Sequence, residues 1–348
     1  MERRDYRRRD GRRVFLYGQK PHTLPAQNEG EGAPEARSHL RWHLLRREWV
    51  AYAAHRQERT FLPPPEFCPF CPTRPGGFPT EIPFEDFEIA VFENRFPALL
   101  PGAPDPPRLE VPTARASGAC EVVVYTPEHE GNVATLTQAR RELLVRVWAD
   151  RYRELHAAGA FCVMPFENRG EAVGVTLHHP HGQIYAYDFV PPVLLQEVEA
   201  FRSGPVLQDL LAHLNDRYTI VEDAHTVALV PPFARFPYEV WILPKAPRAG
   251  PWQFDDAEVA SFARILGEVV RRYDGLFGKP FPYIMVLHAA PKGEDDHFHF
   301  HAEFYPPLRT ADKLKYLAGT EQGAGMFVVD TLPEDTARVL REVAARRS

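Results

Sequence analysis

The feature that most constrains the fold is an internal repeat. In the first half NRFP (Asn94 to Pro97) precedes the strand-like run EVVVYTPEH (Glu121 to His129). A helical pattern follows from Thr135 to His156, then the short apolar run FCVMPFEN and the alternating run HPHGQIYAY. In the second half ARFP (Ala234 to Pro237) precedes EVWILPK and a helical pattern from Asp255 to Phe277, with Asp255 or Asp256 as the candidate cap. PYIMVLHAAP and HFHFHAEFYP complete it. Glu121 and His181 lie 60 residues apart, Glu239 and His301 62; Asn168 to His179 and His288 to His299 are both 11. Matched order at nearly matched spacing marks a duplicated strand–helix–strand–strand unit. The expected fold class is α+β, with antiparallel sheets in each half and helices packed against them.

A chain of 348 residues, 44% of them hydrophobic, can bury one large core or two modest ones. Residues 1–40 read as an N-terminal extension and exposed loop. The arginine-rich start, interrupted by Glu2, Asp5 and Asp10, reads as a solvated edge segment, and the core begins near Arg41. The first half then covers 41–190, a helical connection 191–220 is where the halves meet, and the second half covers 221–348. A formal charge of -6 argues against nucleic acid as the partner. No run approaches the roughly 18 apolar residues of a membrane span. The expected location is the cytoplasm.

Three clusters carry chemistry. In His179-Pro180-His181-Gly182-Gln183, strand alternation sets residues 179, 181 and 183 on one face, and Pro180 suits a strand end. There His181 can attack phosphorus as a neutral imidazole, His179 can coordinate or orient, and Gln183 can steady a phosphate oxygen. Cys68-Pro69-Phe70-Cys71 is either half a metal site or a redox pair, and PTRPGGFP after it is no helix start for a redox pair. Cys120 and Cys162 are isolated, so His129 and His179 are the candidates to complete a closed Cys2His2 zinc site. The third cluster, His297, His299, His301 and Glu303 with His288 upstream, either binds a metal such as iron or zinc or fills the duplicated counterpart of the site without one. Arg56 and Arg59 are candidate diphosphate ligands.

Together CPFC, AAHR, VFENRFPAL, the TPEH strand end, FENRG, HPHGQ and HFHAEFYPP resemble the galactose-1-phosphate uridylyltransferases, a branch of the histidine-triad superfamily. The resemblance runs from about Arg41 to about Asp330 and implies a duplicated histidine-triad-like fold. It implies that His181 becomes uridylylated in a ping-pong exchange between UDP-glucose and galactose 1-phosphate, with Gln183 on the phosphate. It implies zinc on Cys68, Cys71, His129 and His179, and a second metal, iron or zinc, on Glu197, His288, His301 and Glu303. There the chain departs from one common pattern, carrying His301-Ala302-Glu303 where HAH is usual. Arg56, Arg59, Asn94, Arg95, Asn168, Gly174, Val175 and Thr176 match nucleotide-sugar positions. Lys315, Tyr316, Thr320 and Glu321 match a hexose-contacting segment that crosses to a partner subunit, which implies a homodimer; Thr320 replaces a tyrosine found in some members.

Two enzymatic rivals share the superfamily. A nucleotide-sugar phosphorylase, such as one acting on ADP-glucose, would use phosphate as acceptor. A hydrolase would usually carry a third histidine where Gln183 stands. A zinc-stapled binding module without chemistry is the alternative of another class, and it gives no reason for His181 to sit beside His179.

Overall fold

The computed structural model describes residues 1–22, 29–30, 32–58 and 62–345. It opens with β1 (Glu2–Arg7), β2 (Arg13–Gly18), β3 (His39–His43), β4 (Glu48–Tyr52), β5 (Ile89–Glu93), β6 (Thr113–Arg115) and β7 (Gly118–Val124). Helix α1 (Gln138–Ala157), β8 (Cys162–Arg169) and β9 (His181–Tyr187) close the first half. Helices α2 (Pro192–Ser203) and α3 (Val206–His213) lead onward. The second half contains β10 (Thr219–Glu222), β11 (Thr226–Leu229), β12 (Val240–Pro244), α4 (Asp256–Leu276), β13 (Tyr283–His288) and β14 (His301–Tyr305). It ends with β15 (Leu308–Thr310), β16 (Lys313–Leu314), α5 (Gly319–Ala324) and α6 (Pro333–Ala345). No helix among the described residues is long and apolar enough to cross a membrane.

The duplication is visible in the sheet. Eleven strands run β1-β2-β5-β7-β9-β8-β13-β14-β12-β11-β10. Outward from the β8–β13 seam, β8-β9-β7-β5-β2 on one side answers β13-β14-β12-β11-β10 on the other. Helix α1 follows β7 as α4 follows β12. The halves were expected to carry separate sheets; they share one, because Tyr283 to Val286 pair antiparallel with Arg169 to Phe166. The connection is helical as far as His213, and β10 begins at Thr219. Both long helices start at caps of the expected kind. The Thr137 hydroxyl accepts from Arg140 N at 3.2 Å, and Asp255 and Glu258 form a reciprocal capping box.

Near-continuous apolar strands follow from burial on both faces. Along β2, Phe15 and Tyr17 join a cluster roofed by α1, α4 and α6, whereas Val14 and Leu16 join Cys68, Phe70 and Phe92 on the other face. Helices α2 and α3 cover that other face in the second half, with Leu194, Val198 and Leu207 buried against Val227 and Leu243. A fully buried pair ties α1 to the sheet: Arg151 grips Glu121 with two hydrogen bonds of 2.9 and 2.6 Å.

The N-terminus differs from its expectation. Val14 and Tyr17 are wholly buried, and β2 pairs with β5, so the core begins in β2 rather than near Arg41. The run VFLY explains it: four consecutive apolar residues belong in a two-sided strand, and the flanking arginines disguised them. Some of those arginines are themselves buried. Arg8 and Arg12 are 3% and 8% exposed, and both face Glu81.

Candidate functional site

His181 opens β9, and the strand alternates from there. Ile184 and Ala186 face the helices, while His181, Gln183 and Tyr185 face away from them. His179 and Pro180 lie in a bend ahead of the strand, so His179 is not in the row expected for it. The bend turns His179 into the interior, 1% exposed, and leaves His181 partly open. His181 Nδ1 donates to the His179 carbonyl at 2.7 Å, which reserves the lone pair for Nε2. Burial lowers its pKa to about 4, and the ring is neutral at pH 7. The Phe70 ring packs edge-on against it at 4.9 Å.

Two clefts meet at His181. One is an apolar slot of Phe70, Phe92, Phe96, Val122 and Leu177, with Glu81, Asn94, Arg95, Thr176 and Gln183 as its polar groups. The other is lined by Asn168, Val175 and the Glu167–Gly170 segment, with Pro280 from the second half. Asn94 Nδ2 donates to Gln183 Oε1 at 3.4 Å. Arg56 donates to the Tyr185 hydroxyl at 2.7 Å, one strand repeat beyond Gln183. Gly174 has φ 79°, the left-handed conformation that turns the chain into Val175 and Thr176. Arg59 lies outside the described residues.

Several wall residues were missed in the sequence. Phe92 and Phe96 flank Asn94 and Arg95, which the resemblance had named, in the segment where β5 ends at Glu93. Glu167, Tyr125 and Tyr283 had no local signal. Tyr283 donates to Glu167 Oε1 at 3.0 Å, and burial lifts the Glu167 pKa to about 7. The Tyr125 hydroxyl lies 2.2 Å from where a Cβ on Gly182 would stand, and the Phe166 carbonyl 2.9 Å. The glycine of HPHGQ is thus a packing requirement beside His181. Gly182→Ala should destabilise the fold by about 1–3 kcal/mol and depress kcat, read by thermal melting and steady-state rates. An unchanged melting temperature would contradict that crowding.

The second cluster gathers on the buried side of the bend. Ligand atoms of Cys68, Cys71, His129 and His179 all lie within 4.8 Å of one another. Cys71 Sγ is 3.4 Å from His129 Nδ1 and 3.6 Å from His179 Nδ1, and Cys68 Sγ is 3.8 Å from His179 Nδ1. Tetrahedral bonds of roughly 2.0–2.3 Å require ligand separations of about 3.3–3.8 Å. His179 Nε2 donates to the Thr126 carbonyl at 2.8 Å, leaving Nδ1 as the ligand atom. The Cys71 thiol, followed by His179, favours a thiolate at Cys68 against the cost of burial. These residues can hold a metal ion with no open position.

In the second half β14 likewise starts at His301. His297 is exposed, and His299 is buried with Nε2 on the Pro244 carbonyl at 2.8 Å, so neither joins the cluster. Glu197, His288, His301 and Glu303 do come together within 4.8 Å. His288 Nδ1 is 2.8 Å from Glu197 Oε1, and His301 Nε2 is 3.2 Å from Glu303 Oε1. Burial works against protonating His301, but Glu303 and Glu197 outweigh it and raise its pKa to about 9. The four groups can hold an ion, and Glu197 Oε2 is buried without a hydrogen-bond partner among the described residues. Trp241, opposite Glu303 as Val122 is opposite Gln183, stacks on His301 at 5.1 Å.

Lys315, Tyr316, Thr320 and Glu321 are not brought to His181, and none lines either cleft. Lys315 and Glu321 pair at 3.3 Å, Thr320 donates to the Met326 carbonyl at 3.2 Å, and Tyr316 is 76% exposed.

Residues 30–191 match the family of the galactose-1-phosphate uridyl transferase N-terminal domain, and residues 198–347 that of its C-terminal domain. The chain is 40% identical over 321 residues to a galactose-1-phosphate uridylyltransferase of Thermotoga maritima, covering 87% of this chain and 98% of that one. It is 35% identical over 309 residues to one from Streptomyces lividans, covering 83% and 82%. Among solved structures a uridylyltransferase superposes with a TM-score of 0.78 at 28% identity, over 89% of this chain and 99% of the other. An ADP-glucose phosphorylase of Arabidopsis thaliana with bound ADP-glucose superposes at 0.66 and 21% identity, over 88% and 98%, a likeness of fold.

Proposed function

From the premise that this chain belongs to the galactose-1-phosphate uridyl transferase family, we propose that it exchanges a uridylyl group between UDP-glucose and galactose 1-phosphate through His181. The supporting observation is one partly open imidazole at the meeting of two clefts, its Nδ1–H tied back to the His179 carbonyl. Nε2 attacks the α-phosphorus of UDP-glucose. The bond from that phosphorus to the bridging oxygen breaks, and glucose 1-phosphate leaves with the electron pair. The Nδ1–H hydrogen bond supports the positive ring of the uridylyl-histidine. A phosphate oxygen of galactose 1-phosphate then attacks the same phosphorus, UDP-galactose departs, and the ring is neutral again. Gln183 and Arg56 are assigned to the phosphoryl oxygens, with Asn94, Arg95, Asn168, Gly174, Val175 and Thr176 as further nucleotide-sugar contacts and Arg59 by resemblance alone.

Zinc is our assignment for Cys68, Cys71, His129 and His179, since two sulfurs and two imidazoles at tetrahedral spacing suit it. When bound it would hold His179, and so the carbonyl that orients His181. Iron or zinc is assigned to Glu197, His288, His301 and Glu303, whose mixed nitrogen and oxygen donors suit either. The exposed Tyr316 segment is assigned to the cleft of a partner subunit in a homodimer.

The deciding assay supplies either UDP-glucose with galactose 1-phosphate or ADP-glucose with inorganic phosphate. Exchange in the first pair with parallel double-reciprocal plots is expected. Turnover confined to the second pair would make the chain a phosphorylase.

A further inference from the structure

Strands β1 and β2 precede the residues that match the family, which begin at 30. The turn between them buries two arginines, which an isolated hairpin has no reason to do. Arg12 Nη1 lies 2.7 Å from Glu81 Oε2, and Arg8 Nη1 3.6 Å from the same oxygen. Arg8 also donates to the Glu81 carbonyl, and Asp10 takes a second contact from Arg12 at 2.8 Å. Arg8 Nε and Arg12 Nη2 are buried without a hydrogen-bond partner among the described residues. Glu81 is 7% exposed, yet it lines the same aromatic slot as His181 and Gln183. Both cations converge on Oε2, so Oε1 is the oxygen left for a ligand.

We propose that Glu81, oriented by Arg8 and Arg12, selects the nucleobase in the cleft and favours a base whose ring edge carries an N–H. This rests on the uridylyl-transfer reading and adds what chooses the base. Uracil offers a ring N–H to a carboxylate; adenine and cytosine offer a lone pair there, which a carboxylate repels. A slot walled by Phe70, Phe92 and Phe96 offers a base apolar contact whatever its identity, so discrimination needs a directional polar group. Two guanidiniums at 2.7 and 3.6 Å from one carboxylate oxygen restrict its rotamer.

The test measures kcat/KM for UDP-glucose and ADP-glucose, with galactose 1-phosphate as acceptor, alongside intact mass for the nucleotidylated protein. In Glu81→Gln, the arginines should take the amide oxygen and turn the NH2 toward the base, a donor suited to the adenine ring nitrogen. The UDP-to-ADP ratio should fall by about tenfold or more relative to the unmodified chain. A purely structural Glu81 would lower both substrates together, or only the melting temperature, leaving the ratio in place and overturning the proposal. UDP-glucose methylated at the ring nitrogen needs no variant to fold. The unmodified chain should use it at least about tenfold less well than UDP-glucose, and an equal rate would also overturn the proposal. Absence of any nucleotide adduct from either sugar would sink the uridylyl-transfer reading itself. An adduct with an unmoved base ratio sinks this inference alone.

Discussion

His181→Ala, incubated with UDP-glucose, is expected to gain no uridylyl mass and to lose exchange activity by about 10⁴-fold or more. The expectation is large because the imidazole does what no neighbour can replace. Gln183 and Asn94 have amides without nucleophilic nitrogen. His179 is interior with Nε2 committed to the Thr126 carbonyl. Folding should survive, since the ring is partly open and its one hydrogen bond, to the His179 carbonyl, is local. A melting curve within a few degrees of the unmodified chain would confirm that chemistry alone was removed. Substantial residual exchange would move the nucleophile elsewhere. The carboxamide variant His181→Gln should be equally inactive, because size and polarity are kept while the lone pair on nitrogen is lost.

The other large effect concerns the metal ligands. Cys71→Ser, or prolonged chelation, should lower the melting temperature by on the order of 10 °C and reduce kcat in step. Structural metal sites of this ligand type contribute on the order of 10 kcal/mol of binding free energy, which is folding free energy when the site forms only in the folded chain. Activity should follow because the carbonyl that accepts from His181 belongs to His179, a proposed zinc ligand. Metal analysis of the purified protein should return zinc in proportion to chain. Full stability and activity after complete metal removal would reduce the cluster to hydrogen-bonded thiols.

Much of this was legible in the sequence. The repeat foretold the answering strand orders on either side of the β8–β13 seam, and alternation placed His181 and Gln183 on one face. Cap chemistry narrowed the start of α4 to Asp255 or Asp256, and Asp255 is the one that caps it. Long-range geometry was less accessible. Nothing local announces that Phe166 lies under Gly182, or that the two halves share a sheet, since strand pairing across a hundred residues leaves no periodic trace. Burial of Arg8 and Arg12 was invisible for the same reason: charge reads as solvation until a carboxylate from residue 81 arrives. His179 was misplaced because alternation was carried across Pro180, where the chain bends before the ladder begins.

The seam also records a history. A single-copy ancestor with these elements would have placed its own β8 against that of a twin across a two-fold axis, giving two equivalent reaction centres per pair. Trp241 stacks on His301 at the register position where Val122 lines the slot beside His181, so the two sides of the seam are not equivalent.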